Sequence, residues 1–429
     1  MIDKGGVTSD EAVKTIEANS STHTVTFKVV DEEGGTLTAN YGSNPSTTST
    51  SIVQVPNGTT VTFTATPYPG WELDSWTGVT SSSSLNASLI VNGPKTVTVK
   101  FKKKETVNSS DDNAWRLLKK VVKIADNNAV ITIDGRIEAT TDEGNCGEIV
   151  IDKSLKIKGK TGAENDILDA SKMSRIFKVA SGKTLILENL KLTGGKAEGE
   201  EDADKCGGAI YAKDASTVKI ENCIITGNEA ETNGGGIYVE STYTTITNCT
   251  FTKNTARDGG GIYINTTGGY TYVVEISGGT IGGVIGQANK ARGNGGGIYV
   301  DESCELRLKD NGSTGCTITG NNADTNGNGG GVYAAKNATV RMQGRTQINE
   351  YNDVYLYSGS AIVVEKVLNS TGTVARITVP NKDYKPGIKV LYGTSELLNS
   401  EHGKFAVTRQ NYPPREWVVD SNGLLQMKP

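Results

Sequence analysis

The sequence predicts an all-β protein in which a small N-terminal β-rich module precedes a single-stranded parallel β-helix with three short strands per turn. The first observation is a repeat, Gly-Gly-Gly-Ile-Tyr, which occurs five times with small variations, starting at residues 207, 234, 259, 295 and 329. The starts are 27, 25, 36 and 34 residues apart, and periods of roughly 20 to 50 residues are typical of solenoids and propellers. The second observation is strict apolar–polar alternation near the N-terminus, which predicts antiparallel strands.

Charge and hydropathy exclude several function classes. The 429-residue chain has a formal net charge of −4, which gives no basic footprint for nucleic acid or for an anionic membrane. It contains no run of about 18 apolar residues, so we expect no transmembrane helix. The first residues, Met1 to Gly6, lack the basic and apolar regions of a signal peptide. We therefore expect either a cytosolic protein or one whose export or anchoring signal is not present in this numbering.

The N-terminal part divides into a tether and a module. Residues 1–21 are polar and rich in Ser and Thr, and we interpret them as a flexible tether. Residues 22–104 alternate between apolar and polar positions, with turn clusters such as Gly34-Gly35 between the alternating stretches. This pattern predicts half-buried antiparallel strands. The apolar positions that define these strands are Val25, Phe27, Val29, Val61, Phe63, Ala65, Val97, Val99 and Phe101.

The motifs of this module occur in a characteristic order: Gly34-Gly35-Thr36, Pro56-Asn57-Gly58, Gly70-Trp71, Trp76 and Val97-Thr98-Val99-Lys100-Phe101. In this order they resemble the divergent InlB B-repeat family of bacterial surface proteins. The resemblance implies an extracellular spacer or adhesive module. We interpret Trp71 and Trp76 as core aromatic residues of a small sheet, and the alternative is a platform on which sugars stack.

Both ends of the β-helix, residues 114–429, are expected to be capped. Residues 105–113 are predicted to be a polar linker, and residues 114–125 an amphipathic capping helix. Its apolar face consists of Trp115, Leu118 and Val122, at positions i, i+3 and i+7. A cap is expected because the open end of a stacked sheet exposes unpaired backbone groups. From about residue 350 to residue 429, short apolar runs separated by prolines predict the last turns and a C-terminal cap.

One complete turn is predicted to contain three strands, and these cover Gly234 to Val239, Thr245 to Asn248 and Cys249 to Ala256. A propeller blade would need four antiparallel strands instead. Since side chains alternate along a strand, Ile237 and Val239 must point inward and Tyr238 outward.

Aligning the turns produces columns of like residues. Asn at a bend can hydrogen-bond its own backbone and its copies in the turns above and below. The columns are Asn189, Asn222 and Asn248; Asn228, Asn254, Asn289 and Asn321; and an inward column of Leu190, Cys223, Cys249 and Cys316. Stacked cysteines about 4.8 Å apart could form a disulfide, but we favour free thiols that fill the core.

The outward aromatic column is the first candidate site. It is predicted to contain Phe177, Tyr211, Tyr238, Tyr263, Tyr299 and Tyr333. Six rings stacked at about 4.8 Å per turn would form a stripe on the order of 24 Å long. Such rings stabilise adjacent strands. The alternative is a surface that binds a host matrix protein or a glycan.

Metal and histidine chemistry have little support. The densest acidic cluster contains Glu200, Glu201, Asp202 and Asp204. Its carboxylates are a weak candidate for Ca²⁺, and a solvated insertion between turns is the simpler interpretation. The two histidines, His23 and His402, lie near opposite ends of the chain, so we expect no histidine triad, no metal site and no cofactor.

The repeat itself resembles a second family. Paired Gly-Gly-Ala-Ile or Gly-Gly-Gly-Ile motifs, together with Phe251-Thr252-Lys253-Asn254, are similar to the repeats of the chlamydial polymorphic outer-membrane protein passenger. The resemblance covers roughly residues 175–340, and Phe of its second motif occurs here only at Phe251. It implies a right-handed parallel β-helix of the pectin lyase-like type in a secreted or cell-surface adhesin, which we expect to be monomeric and non-enzymatic.

The alternative from the enzyme class is a polysaccharide lyase or glycoside hydrolase that acts on an acidic polysaccharide. It rests on analogy, since many single-stranded right-handed β-helices are such enzymes. Catalysis would need carboxylates and a basic residue that converge on one outward face. The acids beside the Gly motif are Asp204, Asp258 and Asp324, and they are scattered along the sequence.

Overall fold

The computed structural model describes residues 21–42, 51–267, 272–349, 352–411 and 414–428. The predicted tether, residues 1–21, lies outside the described residues except for its last position. The chain forms two compact units, Met1–Lys103 and Lys104–Pro429.

The first unit contains two four-stranded sheets. Neighbouring strands are antiparallel, except that Thr22–Val29 and Lys95–Lys103 are parallel. In order across the first sheet the strands are Ser51–Pro56, Thr22–Val29, Lys95–Lys103 and Trp71–Thr77. In the second sheet they are Gly35–Asn40, Thr60–Pro67, Asn86–Ile90 and Ser81–Ser83. A 3₁₀ helix spans Val30–Glu32.

The predicted alternation matches the core of this unit, because the predicted apolar positions, such as Phe27 and Phe63, are buried, and Val29 is partly buried against them. Trp71 and Trp76 are partly buried and pack against this core. The indole N–H of Trp76 donates to the carbonyl of Ser84 at 3.1 Å. A Cβ at Gly34 would lie 2.6 Å from the ring of Trp71, so the backbone and the indole are in direct contact. The structure thus supports the core interpretation of both tryptophans.

The second unit is a β-helix whose parallel strands stack turn upon turn into four sheets. The 11-stranded sheet, called here the long sheet, contains Thr106–Asn108, Ala129–Asp134, Leu155–Gly159, Thr184–Glu188, Thr217–Glu221, Tyr243–Thr247, Val273–Ser277, Glu305–Lys309, Thr339–Gly344, Ala361–Leu368 and Leu391–Tyr392. The 8-stranded sheet contains Arg136–Glu138, Ile167–Asp169, Lys191–Thr193, Ile224–Thr226, Thr250–Thr252, Thr280–Gly282, Thr317–Thr319 and Gln347–Ile348.

The 10-stranded sheet, called here the tyrosine sheet, contains Ile149–Ile151, Phe177–Val179, Ile210–Ala212, Ile237–Glu240, Ile262–Asn265, Ile298–Val300, Val332–Ala334, Asp353–Leu356, Ala375–Thr378 and Phe405–Val407. A fourth sheet of two-residue strands contains Lys196–Ala197, Glu229–Ala230, Thr255–Ala256, Lys290–Ala291 and Asn322–Ala323. The prediction of three strands per turn therefore omits this short strand. The predicted run from Cys249 to Ala256 divides because Lys253 adopts a left-handed conformation with φ of 57° and turns the chain.

The N-terminal end of the β-helix is closed by a helix. It spans Ala114–Ile124 and buries Trp115, Leu118, Val121 and Val122. The helix contacts the first strands of the 8-stranded sheet and of the tyrosine sheet, Arg136–Glu138 and Ile149–Ile151. The prediction of a polar linker over residues 105–113 is wrong for part of this range. Thr106–Asn108 is a strand that pairs in parallel with Ala129–Asp134, and Val107 is fully buried. One apolar residue among polar ones gave too little periodicity to reveal this strand.

Strands of the β-helix continue beyond residue 350, and they are followed by short elements near the C-terminus. These are the helix Ser395–Glu401, the 3₁₀ helices Asn381–Asp383 and His402–Lys404, and the two strand pairs Gln410–Asn411 with Pro414–Arg415 and Trp417–Val419 with Leu425–Met427. One further 3₁₀ helix, Asp202–Lys205, lies within an insertion between turns.

Asparagine columns form two corners of the helix. In the buried column, the side-chain amide of Asn254 donates to the side-chain oxygen of Asn289 at 2.9 Å and to the carbonyl of Ile225 at 2.9 Å. The same amide-to-amide bond recurs from Asn228 through Asn321 and reaches Asn352. The second column, Asn189, Asn222 and Asn248, has φ of 52–55°, a conformation that Asn tolerates better than most residues. The buried column confirms the predicted hydrogen bonds between asparagines of successive turns. In the second column the amide of Asn248 donates to Asn222 at 3.4 Å, whereas the amide of Asn189 donates to Glu188.

The cysteine column is also confirmed. Cys223, Cys249 and Cys316 are buried in the core, and the backbone N–H of Cys223 points at the sulfur of Cys249 at 3.4 Å. All six cysteines carry free thiols, which is the alternative that the sequence favoured. Burial raises the pKa of the Cys316 thiol to about 12, so this group remains an uncharged core residue.

Candidate functional site

A stack of six tyrosine rings runs along the outside of the tyrosine sheet. Parallel pairing places Tyr211, Tyr238, Tyr263, Tyr299, Tyr333 and Tyr355 side by side on successive strands. Their ring centroids are 5.2, 5.5, 4.6, 4.8 and 5.4 Å apart, and neighbouring rings are tilted by 6–25°. The predicted outward column of stacked tyrosines is therefore present.

The membership of the column differs from the prediction at both ends. Phe177 pairs with Ile210 and is fully buried in the core, and Lys178 occupies the outward position of that turn. The aromatic ring suggested a match with tyrosine, but this turn lacks the Gly motif and its register is shifted by one residue. Tyr355 is the member that sequence reasoning missed. The alternation Val354-Tyr355-Leu356 could have identified it, although no glycines precede it.

The rings are much less exposed than an open stripe would be. Tyr211, Tyr238, Tyr263 and Tyr333 are 3–8% exposed, because each ring covers the faces of its neighbours. What remains for a ligand is the row of ring edges and hydroxyl groups. We call this row, with the polar side chains that flank it, the tyrosine face.

Polar side chains two residues after the tyrosines bind the phenol hydroxyls. The hydroxyl of Tyr238 donates to Glu240 at 2.8 Å and accepts from the amide of Asn265 at 3.1 Å. The hydroxyl of Tyr263 donates to Asp301 at 2.7 Å. Asn265 and Asp301 therefore connect neighbouring turns, whereas Glu240 binds the tyrosine of its own strand.

The phenols stay protonated in physiological conditions. Burial raises the pKa of Tyr211 and of Tyr333 to about 12. Burial raises the pKa of Tyr238 and of Tyr263 as well, and Glu240 and Asp301 act in the same direction. The tyrosine face is thus a row of neutral hydroxyl groups beside carboxylates.

Arg175 closes the N-terminal end of the stack. Its guanidinium lies 4.8 Å from the centroid of the Tyr211 ring and forms an ion pair with Glu148 at 2.9 Å. It donates to the carbonyls of Ala203 at 2.6 Å and Cys206 at 2.8 Å. Arg175 is only 3% exposed, and it fixes the acidic insertion beside the stack.

A pocket of about 360 Å³ lies beside the first two tyrosines. It is lined by Asp202, Ala203, Cys206, Tyr211, Thr232, Asn233, Tyr238, Glu240 and Arg257. The guanidinium of Arg257 is 3.0 Å from the Asp258 carboxylate. The pocket therefore combines one cation with carboxylates, an amide and the edges of two rings, and such a lining can hydrogen-bond a polar ligand.

The acidic insertion does not assemble a cation site. Glu200, Glu201 and Asp202 are exposed, and Asp204 contributes its backbone carbonyl to Arg175. Over the residues that the structure describes, no group of three or more His, Cys, Asp or Glu side chains is placed to hold a metal ion.

The acids of the enzymatic alternative lie on alternate turns of the β-helix. Asp204, Asp258 and Asp324 precede the strands that begin at residues 210, 262 and 332, and one further strand of the tyrosine sheet separates each consecutive pair. Two turns of a parallel β stack correspond to about 9.6 Å. The Asp258 carboxylate already accepts from the backbone N–H of Asn294 at 2.8 Å.

Comparison with known proteins finds two separate matching segments, one N-terminal and one within the β-helix. Residues 25–105 match the family described as divergent InlB B-repeat domain, and residues 179–368 match the family described as right handed beta helix region. The chain is 38% identical over 76 aligned residues to the protein named "Probable autotransporter YfaL" of Escherichia coli (strain K12), and the match covers 16% of this chain. The match covers 6% of that relative's length.

Two solved structures are similar over most of the chain but only distantly. One is the catalytic domain of a GH87 α-1,3-glucanase in complex with nigerose, with 12% identity, coverage of 88% of this chain and 86% of that chain, and a TM-score of 0.25. The other is the catalytic unit of the thermostable GH87 α-1,3-glucanase of Streptomyces thermodiastaticus strain HF3-3, with 13% identity, coverage of 90% and 85%, and a TM-score of 0.24. Likeness at these TM-scores supports no inference about activity.

No helix in the described part of the chain has the length and apolar character needed to cross a membrane. The strand register and the two family matches agree on the architecture of the molecule. The chain carries a segment that matches the divergent InlB B-repeat domain, followed by a segment that matches the right-handed β-helix region.

Proposed function

We propose that the protein is a non-enzymatic bacterial surface or secreted protein, an adhesin in which the tyrosine face binds a host matrix protein or a glycan. The observation that carries this proposal is the uninterrupted stack from Tyr211 to Tyr355, in which a phenol hydroxyl recurs on every turn. Carboxylates accept hydrogen bonds from two of these hydroxyls, those of Tyr238 and Tyr263. A surface that repeats one chemistry over six strands suits an extended ligand. A catalytic centre would instead need one place that differs from the rest.

Two further observations support a location outside the cell. The N-terminal unit matches a divergent InlB B-repeat domain, and a segment of the chain is similar to a protein named as an autotransporter. In this proposal the first unit acts as a spacer, and the β-helix presents the binding surface as a monomer.

The test is binding of the full chain to a panel of matrix proteins and glycans on a solid phase. The informative variant is Tyr238→Phe combined with Tyr263→Phe, because it removes two hydroxyls and leaves the ring stack in place. We expect at least about tenfold weaker binding, since each lost hydrogen bond is worth about 1 kcal/mol. The matched control is Tyr384→Phe, which removes a buried hydroxyl that donates to the carbonyl of Thr408 at 2.9 Å.

Equal binding by the double variant, the control and the unmodified chain would rule out the tyrosine face. A screen for reducing sugars and unsaturated products on acidic polysaccharides tests the non-enzymatic part of the proposal. Product formation that disappears in Asp258→Ala would show that the protein is an enzyme.

A further inference from the structure

A second and larger cavity lies where the long sheet turns toward the 8-stranded sheet. This corner groove has a volume of about 770 Å³, compared with about 360 Å³ for the pocket beside Tyr211. It is lined by Thr247, Ser277, Lys309, Asp310, Asn311, Gln343, Gly344, Lys366, Val367 and Asn369. These residues come from the ends of five successive strands of the long sheet. The groove therefore extends along the helix axis by roughly 19 Å, four steps of about 4.8 Å.

One wall of the groove is a break in the regular sheet. Met342 pairs with Val364, but Gly344 pairs with Leu368. The strand Ala361–Leu368 therefore contains extra residues between these two pairs and bulges out of the regular sheet. Lys366 and Val367 lie in this bulge, and Val367 is 52% exposed. Bulges redirect side chains, and they are frequent beside functional sites. Here the bulge raises a rim above the strand Thr339–Gly344.

Asn311 also lines the groove. Its side-chain oxygen accepts from the backbone N–H groups of Ser313 at 2.8 Å and Thr314 at 2.7 Å, and its amide donates to the side-chain oxygen of Asn248. Gly278 occupies the intervening turn, and a Cβ there would lie 2.6 Å from the oxygen of Asn248. Because Gly278 has no side chain, the amides of Asn248 and Asn311 can contact each other across the turn between them.

Glycine also permits a close approach on the floor of the groove. Gly344 has φ of 67°, and a Cβ at this position would lie 2.4 Å from the carboxylate of Asp310. Ser277 donates from its hydroxyl to the carbonyl of Asp310 at 3.1 Å. The polar groups of the floor are thus fixed by contacts within the protein, which lowers the entropic cost of binding a ligand.

The charges of the groove largely cancel. The ammonium of Lys309 is 2.5 Å from Glu275, and the carboxylate of Asp310 is 3.5 Å from Arg345. Lys366 adds one positive charge on the rim. The other polar side chains are amides, which both donate and accept, and hydroxyls, which do the same. They belong to Thr247, Ser277, Asn311, Gln343 and Asn369.

We propose that the corner groove binds an uncharged oligosaccharide chain lying parallel to the helix axis. A sugar chain presents hydroxyls that donate and accept, and it matches a lining of amides and hydroxyls with little net charge. The repeat along the groove, about 4.8 Å per turn, is comparable with the length of one pyranose unit, so roughly four units fit. The groove and the tyrosine face involve different sheets, and this proposal does not depend on that face.

The test is calorimetric titration of the full chain with maltohexaose, cellohexaose and laminarihexaose, with an oligogalacturonate as the acidic counterpart. We expect one of the neutral chains to bind. Gln343→Ala and Asn369→Ala should each weaken that binding by about tenfold, since each removes an amide that can make one or two hydrogen bonds. The matched control is Asn322→Ala, which removes an exposed amide from a strand outside the groove.

Two further measurements, the salt dependence of binding and binding by the tyrosine double variant, distinguish this proposal from binding through charges and from binding at the tyrosine face. Binding should change by less than about threefold between roughly 0.05 and 0.5 M NaCl, because screening acts on charges. It should be unaffected by Tyr238→Phe with Tyr263→Phe, so failure here and failure of the tyrosine face can be told apart. Three results would overturn the proposal: no binding of any neutral chain, equal binding by both groove variants and the control, or tighter and strongly salt-dependent binding of the oligogalacturonate. Thermal unfolding of each variant verifies that the fold is intact.

Discussion

The guanidinium of Arg175 lies 4.8 Å from the centroid of the Tyr211 ring and closes the tyrosine stack at its N-terminal end. The same group binds backbone carbonyls of the acidic insertion. One buried side chain therefore connects the start of the stack with the loop beside it.

Replacing Arg175 by Lys should destabilise this end of the molecule. Lysine keeps the positive charge, but it lacks the planar fork that reaches several carbonyls at once. We expect a loss of about 2 to 4 kcal/mol in the free energy of unfolding, since buried carbonyls lose their donors. Urea unfolding measures the loss, and limited proteolysis should show faster cleavage within residues 198–206.

The control for this substitution is Arg257→Lys, because the Arg257 side chain is 56% exposed and pairs with Asp258 at the surface. An exposed pair contributes about 0 to 1 kcal/mol. If both variants unfold at the same urea concentration as the unmodified chain, Arg175 does not hold the insertion in place.

Tyr263 should contribute to stability mainly through its ring. Tyr263→Ser removes a ring that is 7% exposed and stacked on both sides, and large-to-small changes of this kind cost about 3 to 5 kcal/mol. Tyr263→Phe keeps the ring and loses the bond to Asp301, which is worth about 1 kcal/mol. Chemical unfolding of the two variants separates the contributions. If both variants lose a similar amount of free energy of unfolding, the hydroxyl and not the stacking is the main stabilising contribution of Tyr263.

The sequence predicted those parts of the fold that repeat. Ile237 and Tyr238 could be assigned to opposite faces because period-two alternation and the glycine motif agree, and the corner asparagines could be aligned because several turns supply one at the same position. Phe177 was assigned to the wrong face because its turn lacks the motif that sets the register.

Features that depend on contacts between distant residues had no local signal. Arg175 reaches carbonyls about 30 residues later in the chain, and no spacing rule connects the two segments. The corner groove arises because one strand of the long sheet has extra residues relative to its neighbour. That mismatch becomes visible only when the two turns are paired.

The buried phenols should resist ionisation at high pH. The pKa of Tyr211 and of Tyr333 is raised by burial to about 12, above the value of about 10 for an unfolded chain. The neutral form is therefore favoured by folding, and this contribution is complete below about pH 10 and decreases as the pH rises toward 12. Absorbance at 295 nm should show a group of tyrosines that ionise together with unfolding. A single transition of all 16 tyrosines near pH 10, with the fold intact, would contradict this.

The carboxylate of Asp166 should stabilise the β-helix at neutral pH and lose this effect in acid. Burial opposes its charge, but hydrogen bonds from Gly135, Thr161 and Gly162 hold its pKa below the usual value. Because the folded-state pKa is depressed, the stabilisation is present above about pH 4 and disappears as the pH falls through the folded-state value. Asp166→Asn should lower the free energy of unfolding by about 1 to 3 kcal/mol at pH 7. It should also make the free energy of unfolding depend less on pH in the acid range. If this dependence is the same in the variant and in the unmodified chain, Asp166 does not have this role.

The carboxylate of Asp353 should have the opposite effect on the pH dependence of stability. Burial raises its pKa, although its carboxylate accepts from the backbone N–H of Gly330 at 2.8 Å. A raised folded-state pKa means that folding favours the protonated form, so stability from this group decreases as the pH rises above about 4. Asp353→Asn keeps an acceptor for Gly330 and removes the charge, so we expect equal or greater stability at pH 7, by up to about 1 kcal/mol. Thermal unfolding at pH 4 and pH 7 gives the comparison. Destabilisation by Asp353→Asn that grows from pH 4 to pH 7 would mean that the charged carboxylate is the favoured form.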